Sequence, residues 1–93
     1  MAVCQVVREG LNNTARHAGP ADVRVTVRGD GPSVVVSVAD GGPTQPGWRA
    51  VPGAGHGLLG LRERVAAVGG ALSAERVDGG FRLTARLPRE ARA

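Results

Sequence analysis

Apolar residues recur at helical spacing at the start of the chain. Val3, Val7 and Leu11 fall every four positions, flanked by Val6 and Ala15, which predicts an amphipathic helix over 1–18 with that stripe turned inward. Gly19-Pro20 ends it. The period then drops to two. Val23, Val25 and Val27 alternate with Arg24, Thr26 and Arg28, the pattern of a half-buried strand over 22–28. After the turn Gly29-Asp30-Gly31-Pro32, residues 33–39 are nearly all apolar and read as a strand buried on both faces. Residues 41–56 show no period and hold Pro43, Pro46 and Pro52, so they read as a loop that closes over something, with Trp48 in its middle. Leu58, Leu61, Val65 and Val68 restore the helical period in a second helix that stops at Gly69-Gly70. Residues 71–77 and 81–87, around Asp78-Gly79-Gly80, predict a second hairpin that Pro88 closes. The order helix, hairpin, loop, helix, hairpin predicts an α+β two-layer sandwich: a mostly antiparallel (mixed) sheet with helices on one face.

The polar face of the first helix changes the picture from fold to chemistry. Glu9, Asn13 and His17 lie four apart, so a carboxylate, an amide and an imidazole line one ridge. Carboxylate and amide oxygens side by side are the hard ligands that hold Mg²⁺ while it also binds phosphates. His17 in the last turn also suits the helix dipole, a purely structural role. Asp40, at the end of a buried strand and followed by Gly41-Gly42, can accept a hydrogen bond from a ligand's amino group; a turn aspartate is the plainer alternative. Gly55-x-Gly57-x-x-Gly60 at a helix start lets backbone N–H groups approach an anion. The same spacing is the dinucleotide fingerprint, but that motif follows directly on a strand, and here a long loop intervenes.

Composition narrows the reading further. With 93 residues the chain is one small domain with a thin stability margin, and 42% hydrophobic content permits a core. The net charge is +4, and all twelve basic residues are arginine. They are spread along the chain with no stacking aromatics beside them, which argues against nucleic acid. The one cysteine, Cys4, forms no internal disulfide and reads as a small core residue, in keeping with a reducing, cytoplasmic setting. No apolar run is long enough to span a membrane.

Taken together, REGLNNTARHA, VADGG, GHGLLGLRERVAAVGGAL and DGGFRLTARLP resemble the N, G1 and G2 boxes of the ATP-binding domain shared by gyrase, Hsp90, histidine kinases and MutL. The wording is most similar to bacterial sensor histidine kinases, in the subfamily with short ATP lids. The resemblance runs from about Val6 to Pro88 and implies a Bergerat-type fold over 1–88 with a frayed tail at 89–93. It implies ATP and Mg²⁺ as cofactors. Asn13 corresponds to the Mg²⁺-binding asparagine and Glu9 to the acid that polarises the attacking group, also beside the metal. Asp40 corresponds to the aspartate that bonds the adenine amino group, and Gly42 to the glycine beside the ring. Arg16 and His17 match the basic pair near the nucleotide. Residues 43–54 match the lid, and Gly55, His56, Gly57, Leu58 and Gly60 the phosphate side.

Thr44 stands where the family often has a glycine, and Gly41 replaces a polar residue. The family also carries an upstream strand and a dimerising helical hairpin whose phosphoacceptor histidine precedes an acidic residue. His17 is followed by Ala18 and His56 by Gly57, so neither fits that role. The resemblance therefore implies an N-terminally truncated catalytic domain that serves a phosphoacceptor domain in cis or trans and, beyond it, a response regulator. Any membrane anchor belongs to the parent kinase. Two alternatives share the fold: a nucleotide-free interaction module, and an anti-sigma type serine kinase.

Overall fold

Hydrogen-bond register decides which side chains of the two hairpins share a face, and so where the core lies. The computed structural model describes residues 2–19, 21–47 and 56–89. It contains α1 (Ala2–His17), β1 (Val23–Asp30), β2 (Ser33–Asp40), α2 (His56–Ala67), β3 (Ala71–Val77) and β4 (Gly80–Pro88). The strands form one four-stranded sheet in the order β1-β2-β4-β3, and every pairing is antiparallel. Val36 stands opposite Val27 and Ala85, and Val38 opposite Val25 and Leu83. Opposed residues point to the same side. That side carries the core: Val36, Val38, Leu72, Leu83, Ala85 and Leu87 pack with Val6 of α1 and with Leu61 and Val65 of α2. Each fully buried valine or leucine contributes about 1.5–3 kcal/mol.

The predicted α+β sandwich is therefore what the chain forms, with the second helix buried through the predicted stripe. Its end is fixed by two backbone bonds, from Gly70 N–H to Val65 O at 2.9 Å and from Gly69 N–H to Ala66 O at 3.0 Å. That is the Schellman arrangement, which satisfies carbonyls a helix end leaves over.

Two expectations about whole elements are corrected, and Cys4, read as a small core residue, is exposed on α1. The first strand is not half-buried: β1 is exposed along its whole length, with Val23, Val25 and Val27 at 36%, 42% and 55%. These valines do face the helix side, but β1 is the edge strand and α1 packs chiefly over β2. The β2 expectation fares better, since Val35 is buried on the opposite face as well. The second correction is the phase of α1. Its buried residues are Ala2, Val6, Gly10, Asn13 and Thr14, while Val3 and Val7 are half-buried and Leu11 is exposed. The cause is Gly10. A Cβ there would stand 2.8 Å from Val38 Cγ2, so the bare helix backbone lies directly on the sheet. That contact turns the helix one residue away from its valine stripe. Gly10→Val is expected to cost about 2 kcal/mol by overpacking, lowering the thermal midpoint by roughly 8–16 °C in a melt followed by circular dichroism.

The strand ends shift slightly. Gly29 and Asp30 belong to β1, and Gly80 and Pro88 to β4. Arg89, assigned to the tail, is tied back by bonds from its N–H to Pro32 O at 2.7 Å and from its Nε to Gly31 O at 3.0 Å. The rest of the tail, 90–93, lies outside the described residues. The consequence for chemistry is positional. The C-terminal end of α1, the end of β2 and the start of β4 meet at one corner.

Candidate functional site

Asp40 occupies that corner because it is the last residue of β2, paired with Val23 of β1 on one side and Phe81 of β4 on the other. Its carboxylate is only 1% exposed. A buried carboxylate needs donors, and it has two. Gly42 N–H donates to Oδ1 at 2.9 Å, and the Thr14 hydroxyl donates to Oδ2 at 3.0 Å. His17 Nε2 lies 3.4 Å from Oδ2. The imidazole is held from its other side. Nδ1–H donates to the Asn13 carbonyl at 2.8 Å, and the ring packs on Phe81 with centroids 5.2 Å apart, tilted by 60°. With the proton on Nδ1, the Asn13 amide at 3.3 Å is a packing contact rather than a second bond. His17 Nε2 is buried without a hydrogen bond among the described residues. A carboxylate offers about four acceptor positions, so Asp40 keeps acceptor capacity beyond its two protein donors.

Gly42 is needed for a reason in addition to the one the sequence suggested. It has φ of +90°, and a Cβ there would overlap the Gly79 carbonyl oxygen. Next to it, a Cβ on Gly80 would overlap the Asp40 carbonyl oxygen. Backbone lies against backbone where the β2 end meets the β3–β4 turn. No side chain fits between, and this holds the Gly42 N–H on the carboxylate.

Glu9 lies two turns before His17 on α1, in a separate cleft of about 240 Å³ lined by Gln5, Arg8, Glu9 and Arg64. Its Oε1 is 3.9 Å from the Arg64 guanidinium, so α2 neutralises it at long range. Asn13 sits between Glu9 and His17 along the helix, with no hydrogen bond to its side-chain oxygen among the described residues. Arg16 is exposed.

At the end that the resemblance assigned to phosphates, the backbones of His56 and Gly57 form the first turn of α2. Leu58 packs against the core through its side chain. Gly60 has open space around it except for Arg64 Nη1, 3.5 Å from where a Cβ would lie. Gly55, Trp48 and the rest of 48–55 lie outside the described residues. Among the described residues no group of three or more histidine, cysteine or carboxylate side chains could cage a metal. Asn13 and Glu9 do fit an ion that keeps waters and phosphate oxygens as its other ligands, which is how Mg²⁺ usually binds.

Three contributors escaped the sequence reading. Thr14 anchors Asp40, and the spacing Val6, Gly10, Thr14, Ala18 was the signal, because it marks the true buried face. Phe81, directly opposite Asp40 in the ladder, supports His17. Arg62, exposed on α2, donates to Leu72 O at 2.8 Å and ties that helix to β3.

With this geometry in view, similarity to known proteins becomes informative. A model of the histidine kinase-, DNA gyrase B-, and HSP90-like ATPase family matches residues 1–91. Sensor histidine kinase DesK of Bacillus subtilis (strain 168) is 33% identical over 82 residues, covering 88% of this chain and 22% of DesK. The histidine-protein kinase/phosphatase UhpB of Salmonella typhimurium is 38% identical over 87 residues, covering 90% of this chain and 16% of UhpB. The chain thus spans about a fifth of the length of such relatives. Among solved structures, full-length ShkA in complex with AMPPNP superposes with a TM-score of 0.73 at 27% identity, over 99% of this chain and 22% of ShkA. The catalytic domain of histidine kinase ThkA gives a TM-score of 0.73 at 21% identity over 95% of this chain and 65% of that one, a likeness of fold.

Proposed function

Because the chain belongs to the histidine kinase-, DNA gyrase B-, and HSP90-like ATPase family, we propose that it binds ATP with Mg²⁺ and supplies the γ-phosphoryl group to a histidine on a separate domain or chain. The observation that carries this reading is the buried Asp40 carboxylate, held by Thr14 and Gly42 at the end of the Glu9–Asn13–His17 ridge. In this reading Asp40 accepts a hydrogen bond from the adenine amino group, and Gly42 leaves the ring room beside the backbone. Arg16 and His17 lie toward the nucleotide. The open N–H groups of the first turn of α2, with the Gly55, Gly57 and Gly60 backbone, receive the phosphates. Asn13 and Glu9 supply oxygens to Mg²⁺, which neutralises phosphate charge during transfer. Glu9 also polarises the attacking imidazole, whose nitrogen bonds to phosphorus as the bond to ADP breaks. Little covalent chemistry is asked of the protein; positioning and charge do the work. The acceptor histidine, the parent sensor kinase and its response regulator are the implied partners. Among the described residues no helix is long and apolar enough to cross a membrane.

Thermal unfolding with and without Mg²⁺·ADP tests the reading. Ligand at a hundred times its dissociation constant should add about 2.7 kcal/mol, roughly 10–20 °C in midpoint for a domain this small. The shift should shrink with EDTA, and Asn13→Ala should remove that EDTA-sensitive part while leaving the unliganded melt cooperative. A cooperative melt that Mg²⁺·ADP leaves unmoved would sink the nucleotide reading and favour the interaction module.

A further inference from the structure

The sheet face away from the helices gathers arginines that are far apart in sequence. Register places Arg24, Ala39, Arg82 and Glu75 in one row across the strands. Thr26, Ser37, Thr84 and Ser73 form the next row, and Arg28, Val35, Arg86 and Ala71 the third. All four arginines are exposed. Arg82 is matched by Glu75 at 3.4 Å and Arg86 by Asp30 at 2.8 Å. The hydrogen bond and charge of Arg86, with a smaller contribution from Arg28, hold the Asp30 carboxyl below its usual range. Arg24 and Arg28, on the edge strand, form no salt bridge among the described residues. Between Arg24 and Arg82 lies an open cleft of about 410 Å³, lined also by Asp22, Val23, Ala39, Asp40 and Gly41.

We propose that this open face of β1, β2 and β4 is a docking surface for an acidic helix of a partner protein, with Arg24, Arg28 and Arg82 as its charged contacts. The spacing suits that occupant. β1 and β4 are separated by roughly 10 Å, twice the strand spacing, and carboxylates two turns apart on a helix are about 10.5 Å apart. A helix lying across the strands therefore meets Arg24 and Arg82 together, and guanidinium forks bind carboxylates in pairs. The small side chains of Ala39, Ser37 and Ser73 let it approach. The face does not suit a nucleic acid, since among the described residues it has no aromatic side chain to stack a base and Asp30 and Glu75 interrupt its charge. It does not suit a bilayer either, because it lacks exposed large apolar side chains. The four arginines lie on the opposite side of the sheet from the helices, so the inference does not rest on the nucleotide reading, although the edge of the cleft reaches Asp40 and Gly41.

The test is a titration of the ¹⁵N-labelled chain with a helical glutamate–alanine peptide bearing carboxylates two turns apart, beside its glutamine counterpart, at low and high salt. The expected result is movement of the Arg24, Thr26, Arg28, Ser37, Arg82 and Thr84 amide signals with the glutamate peptide alone. R24E/R28E should weaken binding at least tenfold, and R8E/R76E, with the same change in net charge, less than twofold. Equal weakening by both pairs, movement confined to other residues, or no binding at low salt would overturn the proposal. So would stronger binding to the same face by a single-stranded RNA oligonucleotide or by phosphatidylglycerol vesicles.

Discussion

Asp40→Ala is expected to abolish the stabilisation that Mg²⁺·ADP confers and to destabilise the unliganded chain by about 3 kcal/mol. Both effects come from one buried group. The Thr14 hydroxyl and the Gly42 N–H each lose their acceptor in a place where the carboxylate was 1% exposed. Leaving a buried donor unpaired costs about 1–3 kcal/mol, and here there are two. Relief of the carboxylate's own desolvation offsets part of that loss. Asp40→Asn separates the two roles. The amide oxygen keeps the Gly42 N–H, and the NH₂ can donate to the Thr14 hydroxyl oxygen once that hydroxyl turns to accept, so the fold loses much less. An amide that turns its NH₂ outward meets the adenine amino group donor to donor, so selectivity for adenine over guanine nucleotides should fall. Thermal melts of the parent and both variants, each with ADP and with GDP, measure this. An Asp40→Asn chain that keeps the parent's ADP shift and selectivity would move the base-recognition role away from Asp40.

How far the sequence could reveal this corner follows from what periodicity records. The α2 stripe and the two hairpins are legible because spacing alone fixes which residues share a face. Periodicity says nothing of what covers that face. Val23, Val25 and Val27 alternate as a half-buried strand should, yet β1 lies at the edge, which α1 touches but covers little. In α1 the largest apolar residues suggested the wrong phase, because the contact with the sheet is made by Gly10 against Val38, where absence of a side chain matters. That shift of one residue hid Thr14, which is polar in sequence and buried in the fold. Asp40 and Gly42 could be singled out as an acid at a strand end followed by glycine. The contacts that hold them come from residues 26 positions back and 37 or more positions on, and no local pattern contains that pairing. The arginines show the same limit: at 24, 28, 82 and 86 they look dispersed, and only the β1-β2-β4 register stacks them.

Gly80→Ala should do more damage than any single loss of a hydrogen bond. The added Cβ would coincide with the Asp40 carbonyl oxygen and press on the adjoining carbonyl carbon and the Gly41 backbone. These are main-chain atoms of a strand end paired on both sides, Asp40 with Val23 and with Phe81, so no side-chain rotation relieves the overlap. The β3–β4 hairpin must move away from the end of β2. That movement breaks the Asp40–Phe81 end of the ladder, and it frees Gly42 from Gly79 and Phe81 from His17. Overpacking against flexible side chains costs about 1–3 kcal/mol; against fixed backbone the expected cost is at least about 4 kcal/mol, a large share of the 5–15 kcal/mol that holds a typical domain together. A urea titration should show the midpoint falling sharply with little change in slope if the native state remains compact. Gly79→Ala is the control. It removes a neighbouring glycine with φ of +81° but has open space around its Cβ, so its cost comes from backbone strain alone, about 1 kcal/mol. If the two variants lose the same stability, the close approach of the hairpin turn to Asp40 is not what makes Gly80 indispensable.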